Sequence, residues 1–404
     1  MPRATHRLAH TRSAGAARNR KPPSAIPAWV PGAALAGAGS IGAALAAFLR
    51  PAAAQAAAAQ DWSPFALVAG LLLVGLVADD DDLFSVAGER LATVARNGTL
   101  LYAGAVVLIA VVTGLLNLDT SVAFLTPVLV YTARRRREEE APLLYGCLLL
   151  SNAGSLLLPG SNLTNLIVLG HRRLSGGGFL ARMAPASIAA VVVTAVVVGV
   201  AERRSLRTGK ETRKPRGDAA QLRVGLGLVA VLAVAALVVT LRSPALPVLA
   251  VGVVVTATRS AQRRLPSRRV LEILGLPVLV GLFGLAVALG TVGRAWAGPA
   301  DLFAHLDPWS TAAVAALATV LVNNLPAASL LAARVPHQPY ALLIGLNLGP
   351  NLFVSGSLAW ILWLRAARAA GARPSIAHAA RLGVMVVPLS MAAALGALAL
   401  FGPH

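Results

Sequence analysis

Four short polar stretches interrupt apolar runs of this 404-residue chain, and together they hold the residues suited to binding a solute. They are Asn117-Leu118-Asp119-Thr120, Ser161-Asn162-Leu163-Thr164-Asn165, Asn323-Asn324 and Ser355-Gly356-Ser357. Amides, hydroxyls and freed backbone groups dominate, with one carboxylate, Asp119. An ionisable group surrounded by apolar sequence is costly and is functional by default, so Asp119 is the candidate proton carrier. The other eleven residues (Asn117, Thr120, Ser161, Asn162, Thr164, Asn165, Asn323, Asn324, Ser355, Gly356 and Ser357) are the candidate substrate ligands. No cluster of Lys or Arg accompanies them, so the set suits a small neutral or weakly charged oxygen-bearing solute better than a tricarboxylate.

Elements that hold such groups deep in a bundle must break and turn. In the apolar run from Leu143 to Gly170, Pro159-Gly160 removes a backbone donor and weakens the helix. Lipid cannot satisfy the freed groups, so a break of this kind survives only inside protein or along a wet cavity. Asn347-Leu348-Gly349-Pro350-Asn351 through Leu358 is a weaker second copy: Asn152-Ala153-Gly154 sets against Asn347-Leu348-Gly349, and Gly160-Ser161 against Gly356-Ser357. Paired broken helices in two halves point to the binding site of a secondary transporter. The stretches Thr99–Leu116 and Ser121–Thr132 flank the Asn117–Thr120 tip, and the second arm is short for a crossing of about 20 residues. A re-entrant hairpin fits, and Trp309–Val322 with Ala327–Ala333 repeats the pattern around Asn323-Asn324.

Composition agrees. The chain is 57% hydrophobic and 13% charged, which suits a polytopic membrane protein rather than a soluble domain. The net charge of +20 lies in short loops between apolar runs, with few aromatics to stack on bases, so it is read as topology and not as nucleic-acid binding. Placing the amino terminus inside puts Arg134–Arg137, the central linker, Arg259–Arg269 and Arg365–Arg373 in the cytoplasm. The expected fold is all-α, with about 10 transmembrane helices plus two re-entrant hairpins in two inverted repeats with broken helices. The expected divisions are a disordered basic tail (1–25), an N-terminal membrane half (26–200), a cytoplasmic linker (201–220) and a C-terminal half (221–404). Spans are expected over Ile26–Leu49 and Pro64–Ala78. Pro51-Ala-Ala-Ala-Gln between them resembles a signal-cleavage region, against which an uncleaved first span is favoured.

Other motifs carry less. Asp79–Asp82 reads as a solvated exit cap or as a cation site. Cys147 is one cysteine in an apolar helix and reads as a small buried hydrophobe. His171, His305, His337 and His378 fall at expected loops and are expected to be solvated. Thr208-Gly209-Lys210 lacks the upstream Gly and following Ser or Thr of a phosphate loop, so no ATPase of its own is expected. No nucleophile elbow, His-Glu-x-x-His or spaced Cys/His set appears, and neither an enzyme nor a metal or cofactor site is expected.

At these same residues the chain resembles the arsenite permease (arsenical pump membrane protein) family of the ion transporter superfamily, which also contains citrate and dicarboxylate carriers. Asn152-Ala-Gly-Ser-Leu-Leu-Leu-Pro-Gly-Ser-Asn-Leu-Thr-Asn-Leu166 is similar to that family's Thr-Ala-Ser-Leu…Ser-Asn-Leu-x-Asn segment. Asn323-Asn324-Leu325-Pro326 is similar to its Asn-Asn-x-Pro tip. Asn347 to Leu364 resembles its Leu-Gly-Pro…Gly-Ser-Leu-Ala…Leu-Trp segment, and Asp119-Thr-Ser-Val-Ala-Phe-Leu-Thr-Pro127 adds to the likeness. Where the family usually has Asn-Asp at the first tip, this chain has Leu118-Asp119, with Asn117 one place earlier. The resemblance implies two inverted halves, often a homodimer with elevator-like motion, and proton-coupled extrusion of arsenite and antimonite. In some systems it implies a soluble ATPase partner. The expectation is a multi-pass antiporter of the plasma (inner) membrane with a cytoplasmic amino terminus. A proton- or sodium-coupled carrier of a carboxylate, sulfate or silicate, and a channel-like or non-transporting membrane scaffold, are the other readings.

Overall fold

The computed structural model describes residues 29–170, 175–207 and 225–402, and every regular element among them is helical. The expected basic tail, most of the linker, and His171, Arg172 and Arg173 lie outside the described residues.

Helix α1 (Trp29–Leu49) is followed after Arg50 by α2 (Pro51–Asp80), a 30-residue helix about 45 Å long at 1.5 Å per residue. The stretch expected to connect two spans is therefore the start of α2. Pro51 occupies a first-turn position, where no amide partner is needed, and the Ala-rich sequence after it has the highest helix propensity. The apolar window of α2 is 78% buried, against 17–39% for the five other helices long and apolar enough to cross a membrane, so α2 is the central post. Gly70 of α2 and Gly252 of α11 (Ala245–Ala261) let the two backbones meet: a Cβ on Gly252 would lie 2.6 Å from the Gly70 carbonyl oxygen.

Helix α3 (Leu83–Val94) buries Phe84, Gly88 and Ala92, four residues apart, against the first hairpin, as expected of a helix lying along the bundle. That hairpin is α4 (Gly98–Leu115) and α5 (Leu118–Arg135). Its return arm is 18 residues, longer than the Ser121–Thr132 expected, because the polar tip residues belong to the helix. The first broken helix is α6 (Ala141–Gly154) and α7 (Leu163–Leu169). Then come α8 (Gly176–Ala201), α9 (Arg203–Arg207), α10 (Leu226–Thr240) and α11.

The next apolar stretch is split at Gly275, whose φ of 54° ends α12 (Ser267–Leu274) before α13 (Leu276–Ala295). A short helix, α14 (Gly298–Ala304), connects α13 to the second hairpin. The second hairpin is α15 (Pro308–Val322) and α16 (Asn324–Leu331), and the second broken helix is α17 (Pro339–Leu348) and α18 (Leu358–Ala369). Helix α19 (Ile376–Phe401) packs along α8.

One end of the bundle is clamped by charge. Asp81 pairs with Arg259 and accepts from the Gly227 amide at 2.6 Å, while Asp79 pairs with Arg269 at 2.5 Å. The acidic run is thus a bracket that ties α10, α11 and α12 to the end of α2. At the same end Arg135 pairs with Glu89, and Arg134 donates to the Ala370 carbonyl. His378 is not a free solvated histidine: its Nε2 lies 2.5 Å from Oε1 of buried Glu202, and its ring packs on Tyr145. His305 and His337 are exposed as expected. Cys147 is fully buried beside Thr126.

Candidate substrate site

The two broken helices cross in contact. After α6 the chain turns through the 3-10 segment Pro159–Ser161, and after α17 through Gly349–Leu352. One side chain joins them: Asn347 Oδ1 accepts from Ser155 Oγ at 2.6 Å and Asn162 Nδ2 at 2.8 Å, while its Nδ2 donates to Asn165 Oδ1 at 2.9 Å and to the Leu343 carbonyl at 2.8 Å. One turn on, Asn152 Nδ2 donates to Asn351 Oδ1 at 2.8 Å, and Asn351 Nδ2 donates to the Leu149 carbonyl. All of these side chains are buried, and apart from Asn152 Oδ1, which has no partner, the amides satisfy one another where water and lipid offer nothing.

Each break is also tied to its neighbouring hairpin by a serine. Ser161 Oγ donates to the Gly114 carbonyl at the end of α4 at 3.0 Å, and Ser355 Oγ donates to the Val320 carbonyl near the end of α15 at 2.6 Å. The hairpin tips are helix caps. Asn117 Oδ1 accepts the Thr120 amide at 2.6 Å, Asn323 Oδ1 accepts the Leu325 amide at 3.3 Å, and Asn162 does the same for Thr164 at 3.2 Å. The Asn324 amide donates to the Gly356 carbonyl, locking the second tip to the second break.

The amino ends of α5, α7, α16 and α18 meet at a cavity of about 90 Å³ lined by Asp119, Leu163, Leu325 and Leu358, with Val68 and Leu72 of α2 behind them. Glu272 and Arg365 stand on its lining toward the charged end. Of the sequence-predicted site residues Asp119 lines this cavity, and the eleven predicted ligands, none of which lines it, divide in two. Ser161, Asn162, Asn165, Asn323 and Ser355 spend their polar atoms bracing the breaks, and Ser355 is exposed on the outer side. By contrast, Asn117 Nδ2, Thr120 Oγ1, Thr164 Oγ1 and Ser357 Oγ are buried with no hydrogen-bond partner. A buried polar atom left unpaired costs about 1–3 kcal/mol, and these four lie at the amino ends of α5, α7 and α18, within two residues in sequence of the Asp119, Leu163 and Leu358 that line the cavity. Helix amino termini around it add positive partial charge. Asn324 and Gly356 contribute backbone groups to the lock rather than side-chain ligands.

Three residues absent from the sequence-predicted set shape the site: Asn152, Asn347 and Asn351. Asn152 and Asn347 align in the two copies of the break, a repeat that already marked them. Outside this network, Asp61 of α2 is a further buried polar residue that no repeat marks.

The profile of a family described as "Citrate transporter" (CitMHS) matches residues 20–364. The chain belongs to this citrate transporter family. Among curated relatives, an arsenical pump membrane protein of Escherichia coli is 26% identical, aligned over 75% of this chain and 78% of its own length. An arsenical pump membrane protein of Yersinia enterocolitica is 24% identical over 84% of this chain and 86% of its own. Among solved structures, the YdaH transporter of Alcanivorax borkumensis is similar over 84% of this chain and 85% of that one, with 18% identity and a TM-score of 0.49. As a member of the citrate transporter family, the protein is a multi-pass membrane transporter of a small solute and not an enzyme.

Proposed function

We propose that this transporter extrudes arsenite and antimonite in exchange for protons. The observation that carries the reading is one carboxylate, Asp119, on a small cavity at the meeting of four helix amino ends, three of which also carry buried and unpaired polar atoms. At about 90 Å³ the cavity is smaller than the ~150 Å³ that admits benzene, which favours a solute of few heavy atoms over a tricarboxylate. Neutral arsenous acid offers hydroxyls that both donate and accept, matching Asn117 Nδ2 and the hydroxyls of Thr120, Thr164 and Ser357. A thiol-free cage binds it weakly enough for release, as transport requires. The names of the relatives agree with this substrate.

Asp119 is the group proposed to carry the proton: solute and proton compete for the same cavity, so binding of one releases the other. In this reading the charged end of the bundle faces the cytoplasm of a plasma-membrane protein, consistent with its Arg-rich loops. Homodimer assembly and coupling to a soluble ATPase extend the same proposal. Cross-linking in membranes and co-expression with such an ATPase test them.

The family profile favours one alternative, a proton- or sodium-coupled citrate or dicarboxylate carrier, which the helix amino ends could serve. Expression in an arsenic-sensitive cell separates the two. Restored growth on arsenite with lowered cell arsenic is expected; sodium- or proton-driven citrate uptake without resistance would establish the alternative instead.

A further inference from the structure

Asp61 lies on α2 far from the charged end, 19 residues before Asp80, and its side chain is 1% exposed. Its Oδ2 accepts from Ser329 Oγ of α16 at 3.1 Å, while its Oδ1 is buried with no partner. The neighbouring charge is Arg294 of α13, which interacts with Asp61 electrostatically without an ion pair. The guanidinium is instead held by Gln60 Oε1 and by the Gly290 carbonyl at 2.9 Å. Among the described residues, no other ionisable side chain interacts with Asp61: α1, α7 and α16 contain none, and the single one of α11, Arg259, is at the opposite end. Gln60 Nε2 in turn donates to the Ile167 carbonyl of α7 at 2.9 Å and to the Ala332 carbonyl after α16 at 3.2 Å.

Gln60 and Arg294 also line a second cavity, of about 960 Å³, that opens between α2, α7 and α10 and has Arg242 and Ser243 on its rim. This vestibule lies at the end of the bundle opposite the Asp79–Asp82 bracket. A buried carboxylate with one oxygen unmatched sits one residue from its wall. Such a group is stable when a proton, rather than a fixed cation, neutralises it intermittently.

We propose that Asp61 is a second proton-carrying carboxylate, loaded from this vestibule and sensed by the second hairpin through Ser329. A hydronium ion in the vestibule gives its proton to Oδ1 and leaves as water, so the carboxylate becomes neutral. The reverse step returns the proton to water, and no other reactant is needed. Ionised, Asp61 accepts from Ser329 and is electrostatically balanced by Arg294. Protonated, it weakens both, and α16 is freed to shift. Ser329 is five positions after Asn324, about 8 Å along the helix, so the signal reaches the tip locked to Gly356. The proton-exchange part rests on the function proposed above; the protonation of Asp61 does not.

Two measurements decide it. Infrared difference spectra of the purified protein on acidification are expected to show a protonated-carboxyl band that Asp61→Asn deletes, Asp61→Glu shifts and Asp119→Asn retains. Ser329→Ala is expected to move the frequency of that band, since the carboxyl loses its hydrogen-bond partner. A spectrum unchanged by Asp61→Asn and Asp61→Glu overturns the proposal whatever the solute. In proteoliposomes, Asp61→Asn is expected to keep arsenite counterflow and lose accumulation driven by a pH gradient. Full gradient-driven accumulation in that variant also overturns it. Wild-type vesicles inert to arsenite would overturn the substrate reading instead, with the infrared result still deciding Asp61.

Discussion

The two hairpins are built alike and charged differently. In each, a first arm ends at an asparagine that caps the second, and a serine from the following break donates to a carbonyl near the end of the first arm. There the likeness stops. The first hairpin returns through 18 residues of α5 and carries its own carboxylate, Asp119, on the cavity. The second returns through the eight residues of α16, has amides alone at its tip, and takes the carboxylate contact of its return arm from α2, where Asp61 bonds to Ser329. Local capping chemistry makes the tips equivalent, while packing against the central post decides where ionisable groups fall.

The largest expected effect tests whether the two tips are exchangeable. Asp119→Asn is expected to abolish solute-driven proton movement while leaving membrane insertion intact. Adding Asn324→Asp to that variant is expected not to restore it. The Asn324 amide is pinned to the Gly356 carbonyl and its side chain is buried, so a carboxylate there has no route to the cavity occupant. Proton flux in vesicles reads both variants; rescue by the double variant would make the hairpins functional equivalents.

The crossing of the breaks is the next contrast. Asn347→Ala strands Asn162 Nδ2 and Asn165 Oδ1, at about 1 kcal/mol each, while Ser155 Oγ keeps the Asn152 carbonyl as acceptor, so a loss of ~2 kcal/mol is expected. Asn152→Ala, at the matching place in the first break, strands only Asn351 Oδ1 and removes an acceptor that is itself unpaired, so ~1 kcal/mol is expected. Unfolding in detergent compares the two, and equal losses would show that the network is shared evenly rather than centred on Asn347.

How much of this was legible in the chain depends on range. The breaks and tips were readable because proline, glycine and asparagine act on their own backbone: Pro159, Pro350, Asn117 and Asn323 fix where helices stop and start. The start of α2 was not, since an Ala- and Gln-rich stretch is too polar for a span by hydropathy yet is a strong helix former. Asp61 is a lone acid within that stretch, 268 residues from Ser329, and no periodicity encodes that distance. The same holds for Asp81 with Arg259 and His378 with Glu202, which are 178 and 176 residues apart. Among the candidate ligands, residue type identified the set, but only packing separated those that brace from those left unpaired.

A smaller test uses one glycine from each break. A Cβ on Gly356 would lie 2.5 Å from the Pro350 Cα, which is backbone and cannot yield, so Gly356→Ala is expected to cost about 1–3 kcal/mol. On Gly160 the nearest atoms are the side-chain methyls of Val238 and Leu67, at 3.3 and 3.4 Å, so Gly160→Ala is expected to stay within about 0.5 kcal/mol. Thermal unfolding of the two variants checks the difference, and a large loss at Gly160 would mean that the first break is as tightly folded on itself as the second.

The smallest effect separates the outer starts of the first arms. Asn97 caps α4 by accepting from the Leu100 amide, and carries no charge at any pH. Asp307 caps α15 by accepting from Ser310 Oγ and from the Trp309 and Ser310 amides, and these bonds hold its carboxyl below the usual carboxylate range, the Ser310 hydroxyl contributing most. A carboxyl whose pKa is lowered by folding stabilises the fold above its unfolded value, near 3.8, and loses that contribution as pH falls through its folded value. Acidification below pH ~4 is therefore expected to loosen the start of α15 and not that of α4. Asp307→Asn should remove the pH dependence while keeping the cap. Hydrogen exchange of the Trp309 and Leu100 amides across this range reads the two ends in one experiment, and parallel behaviour would assign the acid sensitivity to something other than the Asp307 carboxyl.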